Sequence, residues 1–190
     1  KPAGLVSVPG VEIEDSALTR IKNLYPNATG GILMHRLDMS RSGLLMFTLN
    51  PKANKRMQRQ FIKRQVQKTY IADVEGVVAN NHGIIDLPLA PDYYDLPRQM
   101  VCDKTGKASE THWSVITRSK STTRLALKPI TGRTHQLRVH CAHPEGLGMP
   151  MVGDELYGVV GERLHLHAHK LEFTHPTSNE LITIEAPVDF

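Results

Sequence analysis

Apolar positions recur with a changing period along this chain, and each change of period marks an element. Ala17, Leu18, Ile21 and Leu24 share a helical face after Asp15 or Ser16 as cap, and Pro26 ends the run. Gly30-Gly31 gives a flexible entry to an apolar triplet at 32–34. A second apolar run at 44–49 reads as a short buried strand. Asn50-Pro51 is a helix start, with Asn as N-cap and Pro at the first helical position. Ala53, Met57 and Phe61 then recur every four residues and carry the helix to about residue 64.

From there the period drops to two. Residues 66–78 read as a strand, with Tyr70, Ala72 and Val74 on one face and Thr69, Ile71 and Asp73 on the other. Further strands are read at 83–89, 98–101, 111–117, 124–128, 151–154, 164–173 and 181–186, with a loop at 90–97. Thr131-Gly132-Arg133-Thr134 is a turn that can cap a helix from residue 135 to about 142. Two or three helices inserted among many strands, without regular alternation, argue against a doubly wound fold. They predict an α+β domain built on a mainly antiparallel or mixed sheet.

Length and composition narrow this further. The 190 residues suit a single domain spanning 1–190, and they can bury a full core without staples. Lys1-Pro2-Ala3-Gly4-Leu5 reads as a strand end passing into a loop, so preceding residues are expected to be missing. Apolar content of 40% and charged content of 22% are ordinary for a globular chain. No apolar run approaches the ~20 residues that span a membrane, and no membrane partner is expected. Cys102 and Cys141 could form one disulfide but no framework. That usage points to a reducing, cytoplasmic setting, and the chain is expected to be a monomer.

Charge changes the picture more. The net charge is +4, and it is unevenly spread. Between Asp38 and the next acid, Asp73, lie eight basic residues: Arg41, Lys52, Lys55, Arg56, Arg59, Lys63, Arg64 and Lys68. Such a segment attracts polyanions, nucleic acid foremost. The carboxylate at its edge is then the group to explain. Next to Ser and Gly an aspartate is ordinarily a turn residue. A carboxylate can also serve as nucleophile or base when a cation positions it, and Arg133 and Arg138 are candidates for that cation. Tyr70 is either a half-buried strand tyrosine or a stacking platform with a usable hydroxyl. His165, His167 and His169 alternate along one strand and suggest a metal-dependent hydrolase, but no HExxH pattern accompanies them, and no metal is expected.

Taken in order, the motifs resemble the RluA-type pseudouridine synthases. They are the opening Lys1 to Leu5 run, Arg36-Leu37-Asp38 followed by Ser42-Gly43-Leu44, Gln65-Val66-Gln67-Lys68-Thr69-Tyr70, and Gly132-Arg133-Thr134-His135-Gln136-Leu137-Arg138-Val139-His140. Pro150, Gly153-Asp154, Tyr157, Leu166-His167-Ala168 and His175-Pro176 complete them, so nearly the whole chain is covered. The resemblance implies a sheet with helices packed on it and an RNA cleft. It implies that Asp38 is the nucleophile, that Tyr70 stacks on the flipped uracil, and that Arg138 pairs with the catalytic carboxylate. It further implies that Arg36 fills the space left by the flipped base and that Leu137 lines the base pocket. His35, Arg41, Lys68, Arg133 and the helix cations Lys55, Arg59 and Lys63 are expected to contact RNA.

Isomerisation needs no cofactor, so none is expected. The expected partner is a stem-loop of ribosomal or transfer RNA, and residues 87–99 favour the compact RluA-like branch. A non-catalytic RNA-binding module of the same fold is the alternative. The chain departs from the family pattern in two ways. Arg41 stands where the family usually has Thr, and no S4 RNA-binding module is present in this sequence.

Overall fold

The computed structural model describes residues 1–190. The chain divides into two compact units, residues 1–68 with 168–189, and residues 69–167 with Phe190. The α+β class expected from the sequence is the one observed.

The first unit holds α1 (Ala17–Leu24), the two-residue β1 (Ser42–Gly43) and α2 (Pro51–Ile62). Of the two caps offered to α1, Ser16 is used: its hydroxyl accepts from Thr19 N at 3.0 Å. Asn50 caps α2 as expected, its side-chain oxygen accepting from Ala53 N at 2.9 Å. Met57 on α2 is 1% exposed and packs with Val66, Leu171 and Phe173, flanked by Phe61, Met34 and Leu44. Gln60 pins α2 to the chain end of a strand by two bonds, giving to Thr174 O at 2.7 Å and accepting from Thr174 N at 2.9 Å.

In the second unit, β2 (Gln67–Glu75), β3 (His82–Asp86), β6 (Glu110–Arg118) and β7 (Thr122–Pro129) form antiparallel ladders in the order β2-β7-β6-β3. The register sets Tyr70 opposite Leu127 and Asp73 opposite Arg124. The hairpin β4 (Leu89–Pro91) and β5 (Gln99–Val101) stands beside it, and α3 (Gln136–Ala142) follows β7. The remaining strands are β8 (Leu166–Thr174), which joins the first unit from Ala168 onward, and its antiparallel partner β9 (Leu181–Glu185).

The structure corrects the sequence reading at five places. Residues 44–49 form no ladder. Leu33 bridges Phe47, and Met34 N donates to Met46 O at 3.1 Å. Met46 N, which a continuing ladder would return to Met34, goes to the His35 ring instead. Residues 151–154 form one bridge only, Met151 to Val74, because Gly153 turns the backbone at φ +70°. The strand read at 83–89 stops at Asp86, and Leu89–Pro91 becomes β4, inside what read as a loop. Pro88 has no N–H to continue a ladder. The Thr131 turn does not cap α3 by a side chain; its N-cap, His135, is left-handed at φ 52°. Finally, the strand read at 66–78 is shorter, and β2 ends at Glu75.

Candidate active site

The Asp38 loop belongs to the first unit, and its shape follows from a set of anchors. The His35 ring nitrogen Nε2 accepts from Met46 N at 3.2 Å, and the ring packs 5.6 Å from that of Phe61. Leu37 is 3% exposed, and both of its backbone groups bond to the Ser7 hydroxyl, at 2.6 and 3.0 Å. Arg41 N donates to Asp38 O at 3.2 Å and closes a turn. Ser42 is buried and donates to Asp189 at 3.2 Å. Gly43 has φ +110°, and a Cβ there would meet Ala168 O at 2.4 Å, so no other residue fits. Leu44 N then donates to Ala168 O at 2.8 Å.

These anchors fix the residues on both sides of Asp38 and leave its side chain 29% exposed. Arg36 is also exposed, whereas Arg41 folds back, with Nη2 2.9 Å from Asp38 Oδ2. His35 and Arg41 are thus both engaged within the loop. Burial, with a smaller push from the Lys68 charge, lowers the His35 pKa to about 4. A neutral imidazole suits a ring nitrogen that must accept a hydrogen bond. Burial also lowers the Lys68 pKa. Lys55, Arg59 and Lys63 lie on the exposed side of α2 with no acidic partner within ion-pair distance.

Tyr70, Arg133, Leu137 and Arg138 belong to the second unit. Tyr70 is 6% exposed and Leu137 2% exposed, while Arg133 is exposed and gives Nε to Ala108 O at 3.2 Å. Arg138 is held by Asp154 through two parallel bonds, Nε to Oδ2 at 2.9 Å and Nη2 to Oδ1 at 2.5 Å. The two side chains are 2% and 0% exposed. A planar fork on a carboxylate fixes the guanidinium plane as well as its position. Asp154 is fixed in turn by the amides of Leu156 and Tyr157, at 3.0 and 3.1 Å. The Tyr157 ring lies 5.3 Å under the Arg138 guanidinium. Its hydroxyl accepts from Gln99 N at 2.7 Å and bonds to His135 Nδ1 at 2.8 Å.

Asp154 and Tyr157 hold Arg138, a support that residue-level reasoning missed. The signal was present, since both fall in the motif Gly153-Asp154 and Tyr157, but nothing in the spacing tied them to Arg138. Two other polar side chains of α3, Gln136 and His140, bond to the sheet. Gln136 gives its amide to Glu110 O and the Thr111 hydroxyl, and accepts from the Thr131 hydroxyl and Arg133 N. His140 bonds to Thr111 and to Leu87 O. These side chains staple a short buried helix to its sheet.

The three histidines of the alternating run do not form a shared cluster. His165 precedes β8, bonds to Asp73 at 3.1 Å and stacks on Phe190. His169 bonds to Ala186 O at 2.7 Å. No three His, Cys, Asp or Glu side chains come together as a ligand group. Cys102 and Cys141 are free thiols, and no helix is long and apolar enough to cross a membrane.

Comparison with known proteins identifies the family. Residues 1–143 match the family described as RNA pseudouridylate synthase. The dual-specificity RNA pseudouridine synthase RluA of Escherichia coli (strain K12) is 43% identical over 100% of this chain and 88% of its own length. The RluA of Yersinia pestis is 45% identical over 93% of this chain and 86% of its own. Among solved structures, human RNA pseudouridylate synthase domain containing 1 superposes with a TM-score of 0.77 at 30% identity, covering 96% of this chain and 78% of that one. Human RNA pseudouridylate synthase domain containing 4 gives a TM-score of 0.77 at 23% identity, a likeness of fold. The chain therefore belongs to the RNA pseudouridylate synthase family, enzymes that isomerise uridine in RNA to pseudouridine.

Proposed function

We propose that this enzyme modifies uridines in stem-loops of both ribosomal and transfer RNA, with Asp38 as nucleophile and both units acting as one catalytic domain. The relatives named above are described as dual-specificity enzymes, which supports two RNA classes. The observation that carries the catalytic part is the Asp38 loop. Its neighbours on both sides are locked by buried hydrogen bonds and by Gly43, while the carboxylate keeps 29% of its side-chain exposure.

The chemistry assigns each group a task. The target uridine leaves its stack, at a cost of a few kcal/mol that is smallest in a loop. Arg36, exposed beside Asp38, fills the vacated space. The uracil stacks on Tyr70 with Leu137 lining the pocket. Asp38 assists breakage of the C1′–N1 bond, the base rotates, and C5 bonds to C1′. The C5 proton leaves last, and the Tyr70 hydroxyl takes part in its removal. No atom is gained or lost overall. Arg138, clamped by Asp154, supplies a fixed positive charge for the carboxylate. Lys55, Arg59, Lys63, Lys68 and Arg133 hold phosphates and orient the RNA. The enzyme works as a monomer in the cytoplasm, a setting in keeping with its two free thiols.

The test uses unmodified transcripts of ribosomal and transfer RNA, each incubated with the protein and then mapped for pseudouridine. Pseudouridine at a loop position in both classes is expected. Modification of one class alone overturns the dual assignment, and modification of neither overturns the activity on these RNAs.

A further inference from the structure

Arg41 departs from the family pattern, and it is also the residue that the Asp38 loop buries. Its side chain is 9% exposed, and Asp38 is the one acidic group within ion-pair distance. The contact, 2.9 Å from Nη2 to Oδ2, is an ion pair by distance rather than an aligned hydrogen bond. The backbone of the same two residues closes a turn through Arg41 N and Asp38 O. A guanidinium taken out of water without an anion costs several kcal/mol. Arg41 therefore cannot stay buried unless the Asp38 carboxylate stays beside it, and the carboxylate cannot swing away without stranding that charge. A threonine at this place would have neither the charge nor the reach.

We infer that Arg41 is a positioning residue for Asp38, its buried guanidinium holding the half-buried carboxylate in one orientation through an ion pair inside their own turn. The inference rests on Asp38 being the nucleophile. It assigns to Arg41 an effect on turnover rather than on RNA affinity, because a fixed attacking group lowers the barrier while a guanidinium only 9% exposed offers little surface to phosphates.

The experiment compares kcat and KM for pseudouridine formation on a modified transcript identified above, using Arg41→Thr, Arg41→Gln and Arg41→Lys, with thermal melting run alongside. Arg41→Thr is expected to lower kcat by about 10-fold to 100-fold with KM within about threefold. Arg41→Lys, which keeps a cation, is expected to recover much of that loss, and Arg41→Gln is not. If Arg41→Thr fails to fold, the Lys-to-Gln comparison decides alone. Wild-type kcat in the Thr or Gln variant, or equal kcat in the Lys and Gln variants, overturns the inference. A raised KM at unchanged kcat also overturns it and makes Arg41 an RNA contact. Asp38→Asn in the same assay separates the premise: turnover by that variant removes the nucleophile reading itself, whereas an inactive Asp38→Asn beside a fully active Arg41→Thr removes only the role of Arg41.

Discussion

Arg138 is the largest side chain in the chain to be fully buried, and Asp154 is what makes that tolerable. Breaking a buried pair by removing one partner costs about 3–5 kcal/mol, because the remaining charge is stranded. Asp154→Asn keeps the shape and removes the charge. It is expected to lose stability on that scale in urea unfolding and to lose turnover with it. Stability within about 1 kcal/mol of wild type would show that Asp154 does not hold Arg138. His35 gives a second test at this scale. Its folded pKa of about 4 lies below the ordinary 6.5. Between those values the unfolded chain binds a proton that the folded chain refuses, so stability present above pH 6.5 is lost as pH falls toward 4. His35→Gln keeps an acceptor for Met46 N and removes the titration. Its urea midpoint should fall less between pH 6.5 and 4 than that of the wild type, and parallel pH curves would contradict this origin.

At the scale of elements, α2 carries the RNA claim most directly. Lys55 and Arg59 project from its exposed side and Lys63 from its C-cap, while Met57 and Gln60 bind the other side to the core. Reversing each charge to Glu should reduce the salt dependence of RNA binding by about 0.7 in log–log slope for each lost phosphate contact. An unchanged slope would make the helix a solvated face only. Elements of this kind were legible in the sequence: Asn50-Pro51, Ser16 and the period-two runs are local signals, and α1, α2, β6 and β7 form where those signals fall. What was not legible depended on distant partners. The His35 ring intercepts Met46 N and ends a ladder. Gln136 and His140 of α3 find Glu110, Thr111 and Leu87, residues 25 to 53 positions away, and so staple the helix to its sheet.

For the molecule as a whole, each unit holds its own share of the residues proposed to act on RNA. The first unit builds a rigid loop around Asp38. The second fixes Arg138 through Asp154 and Tyr157 and buries Tyr70 in β2. The sequence named Asp38, Tyr70 and Arg138 through motif resemblance, since no periodicity links positions so far apart. It named Asp154, Tyr157 and Arg41 without their partners and passed over Ser7, because all four act through contacts that only folding creates. The most direct measurement is single-turnover pseudouridine formation by Asp38→Asn, at enzyme in excess over a transcript the wild type modifies, with RNA affinity measured in parallel. The account predicts retained binding and no product over many wild-type turnover times. Product formation by Asp38→Asn at a rate near that of the wild type would contradict it.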